Sequence, residues 1–384
     1  MSRRGRLLVA CAGLLAVLVA LAIHPYRDNV SALLRITDRY AVEYDLPPGL
    51  VLMLDSGFDG MLYHQMAREI PAMLAGEAPV PPHGQPRIDR AYRWQRVLLP
   101  ALAWAVSLGH ERALPWAFLA INFSAILATL ALTLATTGRA DVHAASVVLN
   151  PAALFGLLFS TTEPLAMLAA AAFFWLWRRQ GERITVLQVA VLALGLLARE
   201  VDGFLVGAVV LFLASRRRFG EAAAAASAFV PFAAWQVLLQ RRFGDLPLAG
   251  NGNAILSLPF QGILDLFAGL ARPTAVGLSA LAYLVLFAAP LAALLASAWR
   301  QQRDDTMVLL ALTVTTGAMV VLGIDIWVAI SGIGRVLPAM YPAYALVASR
   351  RDTTAWRGLS ASLCLVSFAG ALGQALLRHP WTLS

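Results

Sequence analysis

Long apolar runs, broken by short arginine-bearing turns, decide what this chain can fold into. Hydrophobic residues make up 59% of its 384 positions and charged residues only 14%. A soluble domain of this length could not bury so much apolar surface, so the chain reads as an all-α polytopic membrane protein. Eleven runs are predicted to span: 7–23, 114–136, 144–160, 163–178, 184–199, 203–215, 222–240, 275–298, 306–323, 335–348 and 358–377. Several are shorter than the roughly 20 residues that a bilayer core asks for, so their ends extend into polar flanks or thinned lipid. With no fixed-period repeat, residues 1–384 form a single membrane-embedded unit.

Arginine placement sets the orientation. Arg139, Arg178–Arg183, Arg216–Arg218, Arg300–Arg303 and Arg350–Arg357 all fall on the cytoplasmic side if the N-terminus is cytoplasmic and run 97–109 does not span. That run has 13 residues with a proline, Pro100, and reads as re-entrant or interfacial. The first run follows Arg3, Arg4 and Arg6, but no small-x-small cleavage site precedes His24, so it is read as an uncleaved span. The net charge of +8 reflects this loop bias and does not point to nucleic acid. All 30 basic residues are arginine. Cys11 and Cys364 lie in apolar runs and offer neither a disulfide framework nor metal-ligand spacing.

The exception to the apolar pattern is the first outer loop, residues 24–112. It carries Asp55 and Asp59 in Leu54-Asp55-Ser56-Gly57-Phe58-Asp59-Gly60, then Tyr92-Arg93-Trp94-Gln95-Arg96. Other charges meet the same face: Glu163, Arg199, Glu200 and Asp202 at short turns, Arg241, Arg242 and Asp245 in a later loop, then Asp325 and Arg335. Ionisable groups at helix ends in lipid are costly and are kept for pairing or function. Asp59 reads either as the N-cap of a helix beginning near Met61 or as a chemically active carboxylate. Arg93 and Arg96 are three apart, on one face if helical, and either clamp a phosphate or anchor at headgroups beside Trp94. His64 reads foremost as an interfacial histidine and otherwise as a substrate contact. Sugar transfer from a lipid phosphate needs one carboxylate to take the acceptor proton and arginines to hold the departing phosphate. A transporter would instead keep its charges near the bilayer midplane.

The order of these motifs resembles the GT-C superfamily of polyprenyl-phosphate-sugar-dependent glycosyltransferases, closest to bacterial relatives of the PIG-V type GPI mannosyltransferase. The likeness covers residues 5–210 and rests on Gly57-Phe58-Asp59-Gly60, Tyr92-Arg93-Trp94-Gln95-Arg96, Thr162-Glu163-Pro164 and Arg199-Glu200. Arg335-Val336-Leu337-Pro338 matches a late element. The resemblance implies a GT-C-like bundle in the cytoplasmic membrane of a bacterium, active on its outer face. It implies Asp59 as general base and Arg93, Arg96 and Arg335 on the donor phosphate. Asp55, Tyr63, His64, Glu163, Arg199 and Glu200 would orient substrate. The partners implied are a polyprenyl-phosphate sugar, such as mannose, a lipid-linked or surface glycan acceptor, and membrane lipid. A divalent cation is left open, since one loop with two carboxylates does not secure a metal site. The rival readings are a lipid or solute transporter and a non-catalytic subunit of a glycan assembly complex.

Overall fold

The computed structural model of the protein describes residues 1–44, 46–54, 57–77, 87–244, 247, 258–269, 275–301, 306–321, 335–377 and 379–384. Helix α1 (Arg3–Ile23) leads into a long loop with strand β1 (Ile36–Thr37), helix α2 (Asp38–Tyr44), strand β2 (Val51–Met53) and helices α3 (Asp59–Ala75), α4 (Arg87–Trp94) and α5 (Leu98–Val106). There follow α6 (Leu114–Thr137), α7 (Val142–Ala145), α8 (Pro151–Leu158), α9 (Glu163–Arg179), α10 (Val186–Ala198), α11 (Gly203–Ser215), α12 (Phe219–Ala226) and α13 (Phe229–Phe243). The remainder holds α14 (Gln261–Gly269), α15 (Ala275–Tyr283), α16 (Ala289–Gln301), α17 (Thr306–Gly317), α18 (Met340–Arg351), α19 (Thr354–Leu376) and strand β3 (Trp381–Leu383).

Among the described residues, five helical stretches are long and apolar enough to cross a membrane: Arg3–Tyr26, Glu111–Thr137, Phe219–Phe243, Ala280–Gln301 and Thr354–Leu376. They coincide with the predicted runs 7–23, 114–136, 222–240, 275–298 and 358–377. Val9, Val17, Val230 and Leu365 on these helices are exposed, as side chains facing lipid would be. The chain is therefore a helical membrane-embedded protein. Val186–Ala198 and Thr306–Val321 are apolar but shorter. Run 144–160 is not one helix: α7 has four residues and α8 has eight, and Asn150 caps α8 by accepting from the Ala153 N–H at 3.1 Å. In run 97–109, helix α5 has nine residues. At 1.5 Å per residue it reaches only about 13 Å, too short to cross.

The buried centre is apolar and aromatic. Phe173, Phe174 and Trp177 of α9 pack with Phe212 of α11, while Tyr344 of α18 meets Phe287 and Trp356. At one end of this bundle sits a sheet that the apolar pattern does not predict. Strand β2 pairs in parallel with β1 and antiparallel with β3, Met53 opposite Trp381. The chain beyond α19 thus returns to the face that carries the 24–112 loop. Tyr26 stacks edge-on with Trp381 there, with centroids 5.8 Å apart.

Candidate active site

Asp59 is the first residue of α3, and Phe58 before it adopts extended backbone. The Asp59 carboxylate does not cap its helix, as one of the two sequence readings had it; both oxygens face guanidiniums. Arg93 Nη1 donates to Oδ1 at 2.7 Å, and Arg335 Nη2 lies 3.5 Å from Oδ2. Arg335 reaches Asp59 across 276 positions because the turn before α18 faces the start of α3. Its guanidinium also lies 4.8 Å from the centre of the Phe58 ring, and Phe58 packs on Phe159.

Gly60 explains how α3 comes so close. A Cβ there would lie 2.5 Å from the Phe159 carbonyl oxygen and 2.9 Å from that of Leu34, nearer than any side chain tolerates. The same turn carries Glu163. Asn122 Nδ2 donates to the carbonyls of Gly156 and Thr161, and Ser160 takes a left-handed φ of 51° to complete the bend. Gly156 leaves room for Pro164, and Pro164 starts α9.

Glu163 is fully buried, and Arg199 Nη1 and Arg335 Nε lie 2.7 and 3.3 Å from its Oε1. These are charge contacts rather than aligned hydrogen bonds. Glu163 Oε2, Arg199 Nε and Arg335 Nη1 are buried without a hydrogen-bond partner among the described residues. Arg335 therefore bridges two carboxylates and keeps a donor in reserve. Asp59, Glu163, Arg93, Arg199 and Arg335 form one continuous network. Burial alone would raise the Asp59 carboxyl; Arg93 and Arg335, with Arg96 and Arg199 behind them, outweigh it and hold it well below the usual carboxylate range.

Arg96 does not share a clamp with Arg93. Helix α4 ends at Trp94, so Arg96 turns away and grips Glu200, with Nη2–Oε1 at 2.5 Å and Nε–Oε2 at 2.8 Å. Nη2 also donates to the Tyr92 hydroxyl at 2.7 Å, and Nη1 donates to that of Tyr63 at 3.3 Å. Tyr63 is thus fixed by Arg96. The backbone of α4 is pinned from α13, where Trp235 Nε1 donates to the Trp94 carbonyl at 2.7 Å. Nearby, Arg242 donates to the Gly76 carbonyl, joining the end of α13 to that of α3.

His64 is buried, and neither ring nitrogen has a hydrogen-bond partner among the described residues. Burial, aided by Arg68, pushes it down to about 3, so the ring is neutral. Asp202 is buried, neither of its oxygens has a hydrogen-bond partner among the described residues, and burial raises it well above the usual carboxylate range. Sequence reasoning noted Asp202 only as a turn charge, and gave Phe58 no role. The signal for Phe58 was its place beside Asp59; nothing local marked Asp202. Asp55, Asp245 and Asp325 lie outside the described residues.

The network can hold an ionised carboxylate beside guanidinium donors that retain hydrogen-bonding capacity, which suits a group carrying negative charge. It does not suit a divalent cation at Asp59, because each carboxylate oxygen already faces an arginine. Compared with models of protein families, with curated proteins and with solved structures, the chain matches none.

Proposed function

We propose that the chain is an inverting membrane glycosyltransferase that moves a sugar, with mannose the first candidate, from a polyprenyl monophosphate to a lipid-linked or cell-surface glycan. The observation that carries this reading is one buried carboxylate, Asp59, held between Arg93 and Arg335 at one end of an apolar bundle. An acceptor hydroxyl attacks the anomeric carbon from the face opposite the phosphate, and Asp59 takes its proton. The bond from the anomeric carbon to the phosphate oxygen breaks, and its electron pair leaves with the phosphate. Guanidiniums stabilise that growing charge.

The resting ion pairs make Asp59 a weak base. A donor phosphate competes for Arg335 and Arg93, and as they turn towards it the proton affinity of Asp59 rises towards the ordinary carboxylate range. The base is thus armed by the substrate it serves. Arg96, Tyr63 and Glu200 hold the loop in position, and Glu163 with Arg199 steadies Arg335. In the same reading the chain crosses a bacterial cytoplasmic membrane eleven times, starts in the cytoplasm and works on the outer face.

The test is sugar transfer by the purified chain in detergent from radiolabelled polyprenyl-phosphate mannose and related donors to a membrane lipid extract. Asp59→Asn is expected to lose about 10²–10⁴-fold in turnover, the usual range for a lost general base. Full transfer by Asp59→Asn would remove the base. Absence of turnover with every donor, in cells whose surface glycan still needs the chain, would favour the subunit or transporter reading.

A further inference from the structure

A second charged site lies at the other end of α1, roughly 30 Å from the loop face if its 21 residues run straight. There the start of α1, the α6–α7 turn and the α18–α19 turn enclose a cavity of ≈ 860 Å³. Its lining includes Arg3, Arg4, Arg139 and Arg357, set against Asp141 and Asp352. Four guanidiniums against two carboxylates leave an excess of two positive charges.

The two acids are already engaged. Asp141 Oδ1 accepts from the backbone N–H groups of His143 and Ala144 at 3.1 and 3.2 Å, and Oδ2 accepts from Arg139 Nε at 2.9 Å. Asp352 is held in a fork by Arg357, with distances of 2.6 and 2.8 Å, and also by Arg139. His143 bridges Asp352 at 3.2 Å and Ser360 at 2.8 Å. By contrast, Arg4 spends one nitrogen on the Gly138 carbonyl at 2.9 Å, and Arg3 has no partner among the described residues.

Asp141, His143 and Asp352 bring three donor atoms within 4.8 Å, the spacing of a cation site. The charge argues otherwise. Both carboxylates are neutralised by arginine, and two more guanidiniums face the same space. A cation would meet net repulsion, whereas an anion would meet unspent donors.

We propose that this cavity binds a phosphate-bearing anion through Arg3 and Arg4, with the Arg139–Asp352–Arg357 lattice as its rigid floor. Its volume falls in the range of about 300–1,000 Å³ typical of organic ligand sites, so a bare ion would underfill it. Two sources carry this chemistry: the headgroup of an anionic lipid and a soluble phosphate compound. The position at the polar end of a lipid-exposed helix suits the first. The inference is independent of what Asp59 does.

The experiment is native mass spectrometry of the full chain in detergent with phosphatidylglycerol or phosphatidylcholine, run with and without millimolar inorganic phosphate. The comparison is wild type against the double variant R3Q/R4Q. Among the described residues Arg3 makes no hydrogen bond or ion pair and Arg4 one hydrogen bond, to backbone, so the variant should keep its melting temperature. The wild type should hold one phosphatidylglycerol in preference to phosphatidylcholine, and R3Q/R4Q should bind it about tenfold more weakly. Phosphate binding lost in R3Q/R4Q, without any lipid preference, would assign the site to a soluble phosphate ligand and sustain the proposal. Equal binding of both lipids to both proteins, with no phosphate binding, would overturn it. So would stabilisation by magnesium or zinc alone, which would make the cluster a metal site.

Discussion

Arg96 and Glu200 form a two-pronged ion pair that two tyrosines complete: Arg96 donates to Tyr63, and the Tyr92 hydroxyl accepts from Arg96 and donates to Glu200 at 3.3 Å. Burial alone would raise the Glu200 carboxyl, yet Arg96 outweighs it and holds it at about 2. The folded value lies below the unfolded one of about 4.3, so the pair stabilises the fold fully above that pH. The contribution is lost as pH falls towards 2. Glu200→Gln leaves Arg96 buried with no countercharge and is expected to cost about 3–5 kcal/mol at neutral pH. Thermal melts in detergent at neutral and strongly acid pH check this: the variant should melt lower at neutral pH and lose less on acidification. An unchanged neutral melting point would mean that the pair contributes nothing. Both residues stood out in the sequence, but not their partnership. A three-residue spacing reads as one helical face for Arg93 and Arg96; the helix ends between them, and a pairing across 104 positions leaves no local trace.

Among the secondary-structure elements, the fit of α3 against the turns before it depends on the bare backbone at Gly60. Gly60→Ala is expected to push α3 off Phe159 and Leu34, cost about 1–3 kcal/mol, and weaken the Asp59–Arg335 contact. A melting curve and a donor-turnover assay on the same preparation check both effects; wild-type values in each would refute the close approach. Gly60 stands beside Asp59 in the sequence, but only the fold shows that it lies inside a helix pressed against Phe159 and Leu34. The sheet was illegible for a different reason. Its strands have two, three and three residues, below the four to eight residues at which strand alternation can be read. Likewise, hydropathy reports how apolar run 144–160 is, but not that Asn150 restarts the helix within it.

For the whole molecule, two sheet-bearing segments far apart in sequence pair with each other and so share one side of the membrane; the proposed topology puts the α9–α10 turn on the other. Cysteines at Pro48, Ser384 and Arg183, one at a time, test this with a membrane-impermeant maleimide. The native Cys11 and Cys364 are buried and give little background. Positions 48 and 384 should label from the same side and 183 from the opposite one. Labelling of 48 and 384 from opposite sides would break the β2–β3 pairing. Arginine clustering at the turns was enough to orient the chain on paper, since charge bias is written in composition. It was silent on the opposite-end cavity, where Arg3 and Arg4 come to face Arg139 and Arg357 only through folding.

The reach of β3 back to β2 has a consequence for synthesis. A membrane chain is threaded in from its N-terminus, so the loop with Asp59 emerges early. At that moment β2 has no β3 beside it, and Asp59 has Arg93 but not Arg335. The Asp59–Arg335 contact closes only after Arg335 has emerged and been inserted, and the β2–β3 pairing only after Trp381–Leu383 has. A nascent chain stalled before that point would carry its first helix and its acid, yet lack the arginine that joins Asp59 to Glu163.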